Sequence, residues 1–217
     1  MPQSPTSNPC TPDTVHTLCR HIGFPLAEPA LSLLTVYLNH LVKWNKVMNL
    51  AGPASWEALL STLVVDSFHL AEFIVSLPLP PEPECWDLGA GAGLPGLPLR
   101  MLWRKGTYTL VETREKRALF LRTILAAHPL PGVYVYQGRA EQFMTQRLPA
   151  HLVLSRAFLP WEKVLELIFG HVQAGAFCLF LTLTPLPKMP SKHWTAVAEK
   201  RYTVADSSRY FWALRKA

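Results

Sequence analysis

The segment from Cys85 to Gly93 constrains the fold of this chain more than any other. It reads Cys85-Trp86-Asp87-Leu88-Gly89-Ala90-Gly91-Ala92-Gly93, a short apolar run followed by three alternating glycines. Glycine allows the backbone to turn sharply and to approach a ligand closely. Pro95 follows, and proline is favoured in the first turn of a helix. The segment therefore predicts a strand, a ligand-binding turn and a helix.

Two kinds of nucleotide site contain such a turn. The spacing Gly91-x-Gly93-x-x-Gly96 matches the dinucleotide fingerprint, but the turn already begins at Gly89. Asp87 at the strand end would repel a pyrophosphate, whereas it suits the amino group and sulfonium of S-adenosylmethionine. Leu97-Pro98 stands where a phosphate-binding loop would have its lysine. We therefore favour a methyltransferase over a dinucleotide oxidoreductase.

The rest of the chain after residue 84 alternates between apolar runs and helical spacing, which predicts a mostly parallel sheet with helices on both faces. An antiparallel hairpin closes the predicted sheet. The expected class is an α/β, Rossmann-like class I methyltransferase fold with seven strands. The predicted strands are Cys85–Leu88, Tyr108–Val111, Val133–Tyr136, Leu152–Leu154, Ala176–Leu183, Tyr202–Ala205 and Tyr210–Leu214, and the helices lie near 97–104, 114–127, 140–147 and 160–170.

The first third of the chain is different, because its apolar residues have helical spacing over 28–50 and over Ser55–Val75. The proline-rich stretch Pro78–Pro83 predicts a stiff linker. We therefore expect residues 1–77 to form an N-terminal tail and helical subdomain, and residues 84–217 to form the cofactor-binding domain. Met1–Pro12 is polar and is expected to be a frayed tail rather than a secretory signal.

Charge is distributed unevenly along the chain, whose net charge is +6. Residues 1–99 carry three basic and eight acidic side chains, and residues 100–217 carry 18 basic and seven acidic ones. Such an excess suits a polyanion, because neutralised phosphates release counterions, although a merely soluble basic surface has the same composition. The four cysteines and eight histidines are scattered, so we expect reduced thiols and no metal. No transmembrane helix is expected.

Two further strand ends carry candidate binding residues. Glu112 ends the second predicted strand, where a carboxylate can accept hydrogen bonds from both ribose hydroxyls of an adenosine. Gly138-Arg139-Ala140-Glu141 follows the third, at the edge where an adenine would lie. A backbone amide there is expected to bind the ring, and Glu141 either assists or caps the short helix.

The chain resembles the bacterial small-subunit ribosomal RNA guanine-N7 methyltransferases, also called glucose-inhibited division protein B, over roughly residues 30–215. The glycine segment with its Leu-Pro-Gly-Leu-Pro continuation and Ser155-Arg156-Ala157 are its most specific pieces. The others are Lys43-Trp44-Asn45-Lys46-x-x-Asn49-Leu50, Asp66-Ser67, Glu112-x-x-x-Lys116-Arg117-x-x-Phe120-Leu121 and Arg139-x-Glu141.

The resemblance implies methyl transfer from S-adenosylmethionine to the N7 of a guanine in the 530 loop of 16S ribosomal RNA, within the small subunit. It implies a cytoplasmic enzyme, and we expect a monomer. Arg139 and Arg156 are the expected catalytic residues, and the RNA-binding set is Lys116, Arg117, Arg139 and Arg209. The expected cofactor-binding set is Asp87, Gly89, Ala90, Gly91, Gly93, Leu94, Glu112, Ala140, Glu141 and Arg156.

Three positions depart from the family pattern. Ala51 replaces a threonine, Leu63 replaces a histidine, and Leu181-Thr182 stands where the strand usually ends in Lys-Gly. In the family that lysine faces the reaction site, and Lys188 is one basic residue that would compensate for it. Its loss leaves two alternatives open: a methyltransferase for another RNA or a small molecule, or a cofactor-binding, RNA-associated protein without activity.

Overall fold

The computed structural model describes residues 8–188 and 192–217 and is built on one seven-stranded sheet with the order β3-β2-β1-β4-β5-β7-β6. Strands β1 to β5 are parallel, and β7 runs antiparallel between β5 and β6. This arrangement confirms the predicted fold class. The strands are β1 (Glu84–Leu88), β2 (Thr107–Glu112), β3 (Val133–Gln137), β4 (Ala150–Arg156), β5 (Val172–Thr182), β6 (Trp194–Val204) and β7 (Ser207–Lys216).

Helices cover both faces of the sheet. The π-helical turn Leu60–Val64 joins α3 to α4, and a 3-10 turn, Phe169–His171, follows α8. The helices are α1 (Pro12–His21), α2 (Ala30–Met48), α3 (Trp56–Leu59), α4 (Val65–Val75), α5 (Gly96–Leu102), α6 (Glu115–Ala127), α7 (Ala140–Met144) and α8 (Trp161–Ile168).

Two hydrophobic clusters fill the space between the helices and the sheet. One joins α1 to α6 to their face of the sheet, and the other joins α7 and α8 to the opposite face. Leu34 and Leu59 of the N-terminal helices share the first cluster with Leu110 and Leu154 of the strands. The helical extension is therefore packed onto the sheet through one continuous core, which removes apolar surface from water on both sides.

The N-terminal prediction needs correction from residue 8 onward. Thr11 caps α1 in a reciprocal capping box with Thr14, and Pro12 occupies the first turn. The Trp56 indole N–H donates to the Asn8 carbonyl at 2.7 Å, and Asn39 donates to the Cys10 carbonyl at 2.9 Å. Residues 8–12 are therefore docked rather than frayed. Residues 1–7 of the predicted tail lie outside the described residues.

The helical stretch Trp56–Val75 is the one segment of the described residues that is long and apolar enough to cross a membrane. Its side chains Leu59, Leu60 and Val64 are fully buried within the protein, and Asp66 lies in the same stretch. Its apolar character therefore serves the protein core.

The closing hairpin is longer than predicted. Its strands are Trp194–Val204 and Ser207–Lys216, and the turn is the dipeptide Ala205-Asp206, both of whose residues have positive φ. The first half of β6 buries only Trp194 fully, and the charged run Glu199-Lys200-Arg201 follows, so this edge strand lacks the apolar signal on which the prediction depended.

Candidate functional site

The glycine turn lies over the carboxyl ends of β1 and β2. The N–H groups of Gly89 and Ala90 donate to the Val111 carbonyl at 2.9 and 3.0 Å, which brings the turn back onto β2. Gly89 has φ +74°, and a Cβ there would lie 2.8 Å from the Phe158 ring. Gly96 packs on the Asp87 carboxylate with no room for a side chain. Both positions therefore require glycine.

Asp87 is buried beneath this turn, with 2% of its surface exposed. Tyr108 donates its hydroxyl hydrogen to the Asp87 carboxylate at 3.0 Å. Burial raises the pKa of Asp87 to about 7, and the Tyr108 hydrogen bond and the Arg156 charge oppose part of that rise. A buried carboxyl group with a pKa near neutrality is a frequent property of functional sites.

Glu112 connects the end of β2 to the glycine turn. One carboxylate oxygen accepts the Gly91 N–H at 2.8 Å, and the other accepts the Arg114 N–H at 2.8 Å. The Thr113 hydroxyl also donates to this second oxygen, at 3.5 Å. A carboxylate has about four acceptor positions, so one remains for another donor. These hydrogen bonds hold the glycine turn in position and leave acceptor capacity for the hydroxyl group of a ligand. A Cβ on Gly91 would have no neighbour closer than 3.8 Å, so this part of the turn is open.

The segment after β3 carries Arg139, Ala140 and Glu141. Ala140 is buried in the first turn of α7, whereas the other two side chains are exposed and form an ion pair at 3.2 Å. The Arg139 guanidinium, hydrogen-bonded to Glu141, lowers the pKa of that carboxyl. The N-cap residue of α7, Arg139, makes no side-chain capping hydrogen bond, and Glu141 lies in the first turn of the helix. Both predicted roles of Glu141, contact with the adenine and capping of α7, therefore stay predictions.

A charged cluster lies at the carboxyl end of β4. The buried carboxylate of Asp66 on α4 accepts from Arg209 Nη1 at 2.6 Å through both oxygens, from Arg156 at 3.1 Å and from the Tyr202 hydroxyl at 2.9 Å. Burial, followed by the Asp66 charge, raises the pKa of Tyr202. Ala157 beside the cluster has φ +51°, a conformation that costs energy for a residue with a Cβ. We name these four residues, Asp66, Arg156, Tyr202 and Arg209, the Asp66 cluster.

The Asp66 cluster lines a cavity of about 310 Å³. Arg156 Nη1 and Arg209 Nε are buried and without a hydrogen-bond partner in the described part of the chain. Leu181 lies in register with Arg156 across the β4–β5 pair and lines the same cavity, so the departure from the family pattern falls inside this site. Lys188 is exposed and is not part of the cavity lining.

The predicted site residues therefore fall into four groups, of which Arg139, Ala140 and Glu141 after β3 are one. The glycine turn, Asp87 and Glu112 form one constellation; Arg156 and Arg209 belong to the neighbouring Asp66 cluster; and Lys116 and Arg117 lie at the start of α6. Arg139 follows β3 and Arg156 follows β4, and two strands lie between, a distance of roughly 14 Å at the usual strand spacing.

Sequence reasoning did not predict the joint role of Asp66 and Tyr202. A carboxylate inside an apolar helix was the available signal, because such a charge requires a partner. Among the described residues, no group of three or more metal-ligating side chains occurs.

Comparison with known proteins supports one family. A family model described as rRNA small subunit methyltransferase G (GidB) matches residues 30–182. A protein of Nitratidesulfovibrio vulgaris named ribosomal RNA small subunit methyltransferase G is 54% identical over 91% of this chain and 90% of its own length. A protein of the same name from Lawsonia intracellularis is 46% identical over 94% of each chain.

Solved structures support the same fold at much lower identity. A Klebsiella pneumoniae protein assigned as an O-methyltransferase covers 94% of this chain and 97% of its own, with a TM-score of 0.61 and 12% identity. TrmN from Thermus thermophilus covers 70% of this chain and 48% of its own, with a TM-score of 0.53 and 15% identity. At these identities the likeness concerns the fold alone. By sequence and architecture together, the chain belongs to the rRNA small subunit methyltransferase G family.

Proposed function

We propose that the chain transfers a methyl group from S-adenosylmethionine to the N7 of a guanine in the 530 loop of 16S ribosomal RNA. It acts in the cytoplasm, as a monomer, on RNA within the small subunit. One observation carries this proposal: the glycine turn and the Asp66 cluster follow adjacent parallel strands, β1 and β4, which are paired in register at Leu88 and Ser155. Two ligands bound at these strand ends would adjoin, and the carboxyl edge is where open α/β sheets bind ligands.

The residues of the turn fit S-adenosylmethionine. The Asp87 carboxyl group suits a cationic amino group, Glu112 has acceptor capacity for a ribose hydroxyl, and Gly91 leaves open space for close approach. When bound, the cofactor supplies an electrophilic methyl group. We assign its binding to Asp87, Gly89, Ala90, Gly91, Gly93, Leu94, Glu112, Ala140, Glu141 and Arg156.

Methylation of guanine N7 requires little from the protein beyond alignment of the two reactants. N7 carries an in-plane lone pair and no proton, so its attack on a methyl group requires no general base. The contribution of the chain is to orient the two reactants and to exclude water, which can supply much of the rate enhancement.

Arg156 is the cation best placed to contact the target base. It borders the cavity, and one of its guanidinium nitrogens has no partner in the described part of the chain. Arg209 is oriented by the Asp66 carboxylate, lines the same cavity and is assigned to RNA contact. Arg139 is exposed and three strand positions away, so we assign it to RNA contact and leave Arg156 as the catalytic arginine.

The test uses labelled S-adenosylmethionine and small subunits from a strain that lacks the modification. Mass spectrometry of the product should locate the label at N7 of one 530-loop guanine. Cofactor binding without transfer would instead identify a protein that has lost activity, and absence of cofactor binding would contradict both assignments.

A second candidate is a methyltransferase for another RNA or a small molecule. Leu181 favours this candidate. The lysine of the family pattern would place a positive charge at this position of the cavity, and the apolar side chain of Leu181 does not. Transfer to total RNA but not to small subunits would support this candidate over the first.

A further inference from the structure

A groove between the end of α2 and the start of α6 combines exposed apolar surface with basic residues. It has a volume of about 740 Å³. We define the α2–α6 groove by Trp44, Val47 and Leu119 on its apolar part and by Arg114, Lys116 and Arg117 on its basic part.

The apolar part is unusually exposed. Val47 is 87% exposed and Leu119 is 52% exposed, whereas Trp44 is held in place by an edge contact with Phe120. A fixed, partly exposed indole beside aliphatic side chains is a surface on which a planar base can lie, since every nucleobase has an apolar face.

The basic part is electrostatically unfavourable for the protein itself. Arg114, Lys116 and Arg117 crowd the amino-terminal end of α6, where the helix dipole disfavours cations, and Glu115 is the acidic residue of its first turn. Across the described ranges, none of these three cations lies within ion-pairing distance of a carboxylate. Lys43 and Lys46 add exposed charge on the last turns of α2.

The groove also borders the glycine turn. The Arg117 guanidinium lies 3.8 Å from the position that a Cβ on Gly91 would occupy. An extended ligand bound in the groove would therefore reach the turn that we assign to the cofactor.

We infer that the α2–α6 groove docks an unpaired segment of the ribosomal RNA substrate, with one base on the apolar part and its phosphates at Arg114, Lys116 and Arg117. This inference rests on the proposed function. Charge complementarity selects a polyanion, and the exposed apolar surface selects an unpaired strand, because the bases of a duplex are covered by stacking.

Direct binding of unmodified small subunits tests the groove. Lys116→Ala should weaken binding and reduce the slope of log K against log salt by about 0.7, the value for one lost phosphate contact on a single strand. Val47→Ser should weaken binding and leave the slope unchanged. Lys163→Ala, which removes the same charge from an exposed position on α8, is the matched control and should change neither quantity.

A photo-crosslinking residue at position 47 identifies the occupant and should join to an unpaired rRNA nucleotide. Crosslinks to ribosomal protein alone, or equal effects of Lys116→Ala and Lys163→Ala, would overturn the inference. Cofactor affinity and methyl transfer measured on the same samples separate the two proposals. If methyl transfer is normal and the groove variants bind RNA as the unaltered protein does, the groove inference is wrong and the proposed reaction stands. If RNA binding depends on the groove but no methyl group is transferred, the proposed reaction is wrong and the groove inference stands.

Discussion

Arg209 and Asp66 lie 143 residues apart in the chain, and the Arg209 guanidinium contacts both oxygens of the Asp66 carboxylate at 2.6 Å. This contact joins the C-terminal hairpin to an N-terminal helix, and both residues line the proposed base-binding cavity. The hairpin and the helical extension are therefore part of the site as well as of the fold.

Breaking this pair should be costly. Arg209→Ala leaves the buried Asp66 carboxylate with fewer partners, and we expect the free energy of unfolding to fall by about 3 kcal/mol. Urea unfolding measures the change. The double variant Asp66→Asn/Arg209→Ala should lose less than the sum of the two single variants, and additive losses would show that the pair is not coupled.

The stability of the protein should depend on the ionisation of Asp87. Burial raises the pKa of Asp87 to about 7 from an ordinary value of 3.8. Between these two pKa values the folded state binds more protons than the unfolded state. The contribution of Asp87 to the free energy of unfolding is therefore fully present below the ordinary pKa and is lost as the pH rises through about 7. Asp87→Asn should remove this part of the pH dependence, as measured by urea unfolding between pH 4 and pH 8. Parallel profiles for the two proteins would contradict the assignment.

Cofactor affinity should depend on Glu112. Glu112→Ala removes the acceptor of the Gly91 and Arg114 N–H groups and loosens the turn, and we expect the Kd for S-adenosylmethionine to rise about tenfold or more, the usual size for a lost charged hydrogen bond. Asp87→Ala should also weaken binding. Calorimetry measures both, and Glu166→Ala, on the exposed side of α8, controls for the loss of a carboxylate. An affinity equal to that of the unaltered protein would contradict our site.

Gly89 should not tolerate a side chain. Gly89→Ala places a Cβ 2.8 Å from the Phe158 ring and holds it at φ +74°. Removing the Phe158 ring relieves the collision but not the backbone strain. Gly89→Ala should therefore cost less stability in a Phe158→Ala background than in the unaltered protein. A strain of about 1 kcal/mol should remain. Thermal unfolding of the four proteins checks this, and equal losses in both backgrounds would show that Phe158 is not the obstacle.

Local sequence signals predicted the parallel part of the sheet well. Buried strands such as β1 and β2 are short apolar runs bounded by turns, and the glycine turn is determined by residue types that suit few other conformations. The same signals missed α1, whose buried stripe consists only of Val15 and Cys19, and the first half of the edge strand β6. A helix or strand that buries few apolar side chains has only a weak apolar pattern in the sequence.

The sequence by itself determined the fold class and the family and predicted the cofactor type, because glycines in a strand-to-helix turn and a carboxylate at the strand end are local requirements of the chemistry. Only the tertiary structure decided which charges meet. Asp66 comes from a helix of the N-terminal extension, Arg156 from the end of β4, and Tyr202 and Arg209 from the closing hairpin. A buried carboxylate must find its counterions wherever the packed core brings them, and spacing along the chain does not contain that information.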